Sequence, residues 1–294
     1  MGIKGLNKFL KEYSKQTSLE KYQGRTFAID ISIFLYKYKY GVKSTDQFIK
    51  KFNYQLNQFE KLDITPIYIF DGPAPIEKKI TQEKRRETAK TIENTIVITK
   101  EDILAVKELF RSRDIQYHIA VSEAEKFCSF LNWSGKIDVC VTNDLDSLLF
   151  GAQTVLTSSK EGYFEYNLTF ILDSLKLTMN QLIDLGIACG CDYCPSGVPG
   201  LGPKKALNYI RGNGPIERWD NLPETLLTDN LLARIKGIFK TFEHEEILAE
   251  QVFTDEYSES IRRNCESESS ENGSGSGSEN GSGSDLDELD QLLN

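Results

Sequence analysis

Apolar residues in the first 200 positions recur in two rhythms. Short dense runs, TFAID at 26–30, PIYIFD at 66–71, IQYHIA at 115–120 and KIDVCVT at 136–142, read as strands. Between them, 45–62 and 100–111 carry the three-to-four spacing of amphipathic helices. A strand pair near 154–156 and 162–166 leads into two short helices, about 168–176 and 179–189. Strands that alternate with helices predict an α/β fold, a mainly parallel sheet flanked by helices. From Cys194 onward the chain turns small and glycine-rich, then helical to about 250, which reads as a second, all-helical module. The end differs again: ENGSGSGSENGSGS at 271–284 is a flexible polar linker that cannot bury a core. Past it, Leu286, Leu289, Leu292 and Leu293 recur at helical spacing among acids, either as a solvated end or as a short helix for a protein partner.

Composition narrows the class. The 294 residues are 39% hydrophobic and 27% charged, a globular balance that permits one large domain or two modest ones. No stretch approaches the ~18 apolar residues of a membrane span, and the N-terminus has no apolar signal region. Six cysteines over this length make no disulfide framework, so the expected setting is reducing and intracellular. Two histidines exclude a histidine-rich metal site. The formal net charge of -9 belongs mostly to the tail, because 264–294 holds eight acids and no base. Removing them leaves 35 basic against 36 acidic residues in 1–263, a net of -1, and no objection to a nucleic-acid partner.

Ligands of open parallel sheets bind outside the carboxyl ends of the strands. There the first strand runs into Asp30 and the second into Asp71; the third leads to Glu123 and Glu125, and the fourth to Asp144 and Asp146. Asp192 joins them from the end of a helix. Each acid alone has a structural reading: Ser122 and Glu125 fit a capping box, Asp144 an N-cap, and Asp71 before Gly72 a turn. Together they do not, since two carboxylates ~4 Å apart repel by ~4 kcal/mol at an effective dielectric of about 20. Such a cluster calls for cations, and an all-oxygen donor set points to Mg²⁺, with Mn²⁺ as a substitute. Two such ions ~3.5–4 Å apart are a common device for phosphodiester hydrolysis.

Just after Asp71, EKKITQEKRRETAK at 77–90 places Lys78 and Arg85 seven apart, on one face of a helix, either solvated beside Glu83 and Glu87 or turned to a phosphate. Tyr36 opens a YKYKY run whose rings interleave with lysines. The run is either a core face or a base-stacking strip, each stack worth ~1–3 kcal/mol. In GVPGLGP at 197–203, Gly200 and Gly202 let backbone approach a phosphate, the next helix offers its N-terminus, and Lys204 and Lys205 add charge. Cys189, Cys191 and Cys194 lack companion zinc ligands and read as structural.

In this order the motifs resemble those of the flap endonuclease/XPG family of structure-specific 5′ nucleases. They are MGIKGL, FAIDIS around Asp30, IYIFDGPAP around Asp71, SEAEKFC with Glu123 and Glu125, TNDLDSLLFG with Asp144 and Asp146, and GCDYCPSGVPGLGPKKAL with Asp192. The likeness covers about 1–250. It implies a PIN-like 5′ nuclease core over 1–193 with a short helical arch near 76–100, a helix–two-turn–helix DNA-binding module over 194–255, and a disordered acidic Ser/Gly-rich tail over 256–294. It implies also that Asp30, Asp71, Glu123, Glu125, Asp144, Asp146 and Asp192 surround two Mg²⁺ ions. Lys78 and Arg85 would hold the scissile phosphate, and the ring of Tyr36 would stack on the nucleotide beside the cut. Gly2, Lys43, Gly200, Gly202, Lys204 and Lys205 are then further DNA contacts, and Ser196 and Val198 ligands of a K⁺ that bridges to phosphate.

The substrate so implied is DNA with a 5′ flap, nick, gap or junction, cut by flap endonuclease and 5′ exonuclease activity in replication, repair or recombination. The expected location is wherever those processes run, the nucleus in a eukaryote. Only 36 residues separate Arg86 from Glu123, fewer than in the family's arch, and GVPGLG resembles the junction-resolving members equally. A Holliday-junction or bubble endonuclease is therefore the first rival. A non-catalytic DNA-binding scaffold is the second, and its mark would be a missing carboxylate; all seven are in place. No aromatic residue follows Gln291, so the tail carries no sliding-clamp motif.

Overall fold

Strands with no polar face need cover on both sides, and that requirement shapes the molecule. The structure, a computed structural model, describes residues 3, 5–42, 44–73, 75, 78 and 96–253. Its strands are β1 (Lys15–Thr17), β2 (Thr26–Asp30), β3 (Thr65–Phe70), β4 (Gln116–Ile119), β5 (Val139–Val141), β6 (Thr154–Ser159) and β7 (Gly162–Asn167). They form one sheet in the order β1-β7-β6-β5-β2-β3-β4. From β6 through β4 all neighbours run parallel, while β7 pairs antiparallel with both β6 and β1. The helices are α1 (Leu6–Leu10), α2 (Ile31–Lys39), α3 (Thr45–Lys61), α4 (Lys100–Ser112), α5 (Ala124–Trp133), α6 (Asp146–Leu149), α7 (Leu168–Leu175), α8 (Met179–Cys189), α9 (Pro203–Asn213), α10 (Glu224–Leu227), α11 (Leu231–Ile238) and α12 (Glu243–Val252).

Successive strand residues feed two apolar layers, as the two-residue period of a strand requires. Phe27, Ile29, Tyr68, Phe70, Val139 and Val141 enter one layer, with α2, α3 and α4. There Tyr68 stacks on Phe110 with ring centroids 4.3 Å apart, and Phe52 meets Phe110 edge-on. Ala28, Ile67, Ile69 and Cys140 enter the other layer, with α1, α5, α7 and α8. Ile210, Ile235, Phe239 and Val252 belong to this second layer, so the helices after Cys194 continue the core of the sheet. Across it, Lys236 of α11 reaches the buried Asp184 of α8 at 2.6 Å.

α3 and α4 end alike. Asp63 and Asp114, each at φ 54°, take the left-handed turn that aspartate tolerates. The next amide then bonds back into the helix, Ile64 N to Phe59 O at 2.9 Å and Ile115 N to Phe110 O at 2.8 Å, before the chain enters β3 and β4. The run at 136–142 is strand only over Val139–Val141, because Asp138 turns its carboxylate back to Thr26 N at 2.8 Å and to Arg25. β1 has no apolar pattern and is fixed by backbone pairing to β7, with Gln16 Nε2 donating to Glu161 O at 2.9 Å.

The glycine-rich segment at 190–202 folds back on the end of α8. Val198 N donates to Ala188 O at 2.8 Å, and Gly197, at φ 54°, packs so closely that a Cβ would lie 2.6 Å from the same oxygen. Cys189, Cys191 and Cys194 are buried as free thiols, in keeping with a structural role. Among the described residues no helix is long and apolar enough to cross a membrane. Most of the expected arch and the acidic tail lie outside the described residues.

Candidate active site

Because β5, β2, β3 and β4 are adjacent and parallel, the residues that follow them emerge at one edge of the sheet. Asp30 ends β2 and caps α2, accepting from Ser32 N at 3.0 Å and from Thr142 Oγ1 at 3.2 Å. Asp71, one residue past β3, accepts from Ser32 Oγ and from Ala124 N, each at 2.9 Å. The second of these bonds satisfies the start of α5 from outside. Glu123, the N-cap residue there, makes no capping bond, so the alternative reading of Ser122 and Glu125 as a capping box does not hold. After β5, Asp144 Oδ1 accepts from Asp146 N at 3.1 Å in a local turn. Asp146 in turn receives the backbone N–H of Ile3 at 3.1 Å.

The seven acids therefore converge, and a lysine enters among them. Lys78 Nζ donates to Glu123 Oε1, lies 3.0 Å from Asp192 and 3.7 Å from Glu125. Tyr193 donates its hydroxyl to the other oxygen of Glu123. One oxygen from each of Glu125, Asp144 and Asp146 lies within 4.8 Å of the others.

Burial and like charge dominate the electrostatics. Asp30 is pushed up to about 7, by desolvation first and then by Asp71. Desolvation with Asp144 raises Glu125 and Asp146 well above the usual carboxylate range. Glu123 is raised by burial against the opposing pull of Lys78. For Lys78 itself, burial would lower the ammonium, but Glu125, Glu123 and Asp192 together outweigh it and hold the amine charged.

The donor set fits divalent cations. It is all oxygen, it is crowded, and Asp146 Oδ2 is buried with no hydrogen-bond partner among the described residues. Carboxylates raised first by burial and then by one another pay a penalty to ionise, and a bound cation removes that penalty.

Of the other expected residues, Tyr36 stands 47% exposed on α2, beyond the core-facing Phe34 and Leu35. Its ring is thus open for stacking rather than part of a core face. Lys204 and Lys205 are exposed on the first turn of α9, and a Cβ on Gly200 or Gly202 would meet nothing within 4 Å. Ser196 is exposed and Val198 buried in the same turn. Gly2, Lys43 and Arg85 lie outside the described residues. Four groups were not anticipated: Ser32 and Thr142, each two residues from an acid, Tyr193 beside Asp192, and the amide of Ile3. For the first three, proximity in sequence to a carboxylate was a usable signal; for a backbone amide there is none.

Comparison with known proteins agrees with this geometry. The XPG N-terminal domain model matches residues 1–92, and the XPG I-region model matches 114–192. Flap endonuclease 1 of Enterocytozoon bieneusi is 33% identical over 251 residues, which span 72% of this chain and 70% of the relative. The catalytic core of Rad2 in complex with DNA substrate superimposes with a TM-score of 0.65 at 25% identity, over 83% of this chain and 81% of that one. Flap endonuclease-1 from Methanococcus jannaschii gives a TM-score of 0.63 at 26% identity, over 79% and 83%.

Proposed function

The chain belongs to the flap endonuclease/XPG family of structure-specific 5′ nucleases, and on that premise we propose that its carboxylate edge hydrolyses DNA phosphodiesters beside junctions of single strand and duplex. The observation that carries this reading is the approach of Glu125, Asp144 and Asp146 oxygens to within 4.8 Å of one another, beside a charged lysine. Divalent metal, Mg²⁺ in this reading, would be held by Asp30, Asp71, Glu123, Glu125, Asp144, Asp146 and Asp192, and when bound it supplies charge neutralisation and a more acidic attacking water. The chain's own groups do the rest. Lys78, with Arg85, holds the scissile phosphate and offsets its developing charge. Tyr193 fixes the rotamer of Glu123, and Ser32 and Thr142 fix Asp71 and Asp30.

Binding falls to other surfaces in the same reading. The exposed ring of Tyr36 stacks on a base next to the cut, and Gly2 and Lys43 are further DNA contacts. The segment 194–255 grips duplex DNA through the open backbone at Gly200 and Gly202, the N-terminus of α9, and Lys204 and Lys205. Ser196 and Val198 would hold a K⁺ between that turn and a phosphate. The tail at 256–294 serves a protein partner, and the protein works where DNA is replicated, repaired or recombined.

The test is cleavage of a 5′-labelled flap duplex in Mg²⁺, beside substrates with a blocked 5′ end, a nick and a four-way junction. Incision at the flap base that is lost on blocking supports the flap reading. Cutting that ignores the block, or favours the four-way junction, moves the protein to the junction-resolving side. No cutting of any substrate overturns the catalytic reading in favour of a scaffold.

A further inference from the structure

Three lysines lie along or against α2, and two of them have internal tasks. Lys39 pairs with the buried Asp102 of α4, and Lys51 donates to the carbonyls of Tyr38 and Tyr40 at the helix end. Lys37 is different. Its ammonium donates to the hydroxyl of Ser158 at 2.7 Å and has no carboxylate within ion-pair distance among the described residues. The side chain is exposed overall, yet desolvation of the amine lowers its pKa. A cation partly removed from water, with no anion beside it, is an unfavourable arrangement that an incoming anion relieves.

Its location says which anion. β6 runs parallel to β5, with Leu156 level with Val141, so Ser158 and Asn143 each stand two residues beyond that level, at the carboxyl edge. Asn143 locks the two strand ends together, accepting from Ser158 N at 2.7 Å and donating to Ser158 O at 3.0 Å. The next residue is Asp144. Along the edge, the order is therefore Lys37 over Ser158, then the acids that follow β5, β2, β3 and β4, with Lys78 among the last. The exposed Tyr36 precedes Lys37 on the same helix. Among the described residues, Lys78 is spent on the acids at the β4 end of this row, and Lys37 stands at its β6 end without an acid.

We infer that Lys37, aimed by the buried hydroxyl of Ser158, is a phosphodiester-binding site for the nucleic-acid strand that crosses the carboxylate edge, on the β6 side of the cleaved linkage. The inference rests on the nuclease reading above, and it assigns Lys37 to binding and register rather than to the chemical step. Ser158 acts through Lys37 and touches no substrate.

The experiment measures flap-duplex binding with Ca²⁺ in place of Mg²⁺, by fluorescence anisotropy over a range of salt, for wild type, Lys37→Met, Lys37→Arg and Ser158→Ala. Lys37→Met is expected to weaken binding about tenfold, as for one charged hydrogen bond. It should also flatten the slope of log affinity against log salt by about 0.9, the signature of one lost phosphate contact. Lys37→Arg should keep the slope, and Ser158→Ala should fall between. Replacing single phosphates by neutral methylphosphonates should locate one linkage whose neutralisation weakens wild type but not Lys37→Met. Thermal unfolding of the free protein should be the same for wild type and Lys37→Met. A lowered melting temperature with an unchanged salt slope would make Lys37 a structural residue and overturn the inference. Absence of DNA binding by wild type would instead overturn the nuclease reading, and this inference with it.

Discussion

The backbone N–H of Ile3 donates to Oδ1 of Asp146 at 3.1 Å, joining the start of the chain to a carboxylate 143 residues away. Asp146 has no other hydrogen bond to spare on its second, buried oxygen among the described residues. Deleting residues 1–4 should therefore release a buried carboxylate and cost about 1–3 kcal/mol of stability. Metal-dependent cleavage should fall with it, and flap binding should weaken as well, since Gly2 is removed with Ile3. Thermal melts and single-turnover cleavage of the truncated protein check this, and equal melting temperatures would mean the bond is not used.

Neutralising one acid separates catalysis from stability. Asp144→Ala should abolish cleavage in Mg²⁺ and leave binding to a flapped duplex within a few-fold. Because Asp144 raises both Glu125 and Asp146, the same change should raise the melting temperature of the metal-free protein. Retained cleavage would remove Asp144 from the site.

The raised acids also fix the sign of a pH effect. Asp30, at about 7 in the folded chain, and Glu125 and Asp146, raised likewise, bind protons more tightly folded than unfolded. Their contribution to stability is complete below the ordinary carboxylate range, about pH 4, and is lost as pH rises toward 7. In EDTA the melting temperature should fall between pH 5.5 and 7.5, and Mg²⁺ should raise it more at 7.5. A metal-induced shift of equal size at both values would contradict the electrostatic account.

Tyr193→Phe keeps the ring against Phe239 but removes the donor to Glu123. The Mg²⁺ concentration for half-maximal cleavage should rise about tenfold, with much of the rate recovered at saturating metal. Lys78→Met should behave in the opposite way, slowing cleavage by about a hundredfold at any metal concentration with little change in binding. Metal titrations of the two variants side by side distinguish these profiles.

Away from the site, Lys236→Met should leave Asp184 buried beside Glu217 without its counter-charge. Loss of one partner from a buried pair costs about 3–5 kcal/mol. Denaturant unfolding measures this, and a double replacement of Lys236 and Asp184 by apolar residues should recover most of the loss.

Runs such as TFAID and PIYIFD were legible because every buried residue before the closing acid is apolar and that acid stands where each strand stops. The positions of Asp30, Asp71, Glu123 and Asp144 followed from that ending and from the parallel order. β1 was not legible, since its pairing with β7 is made by backbone groups that any sequence carries. The run at 136–142 looked longer than the strand because Lys136 and Ile137 share its apolar rhythm, while Asp138 already serves Thr26. Lys78 could be placed near the acids by its distance from Asp71 in sequence, but its contact with Glu123, Glu125 and Asp192 depends on a fold that brings it to residues 45, 47 and 114 positions away.

That separation bears on synthesis. The acids enter from the ends of four strands and from beyond α8, so the cluster exists only after the long-range parallel pairings have formed. Such pairings are slow to form, and no early segment holds more than two of the acids. On the catalytic reading proposed above, a nascent chain on the ribosome therefore has no complete carboxylate cluster until Asp192 has emerged. The same holds for a molecule that has lost its central strand order. On that reading, completion of the tertiary structure is what licenses destructive chemistry.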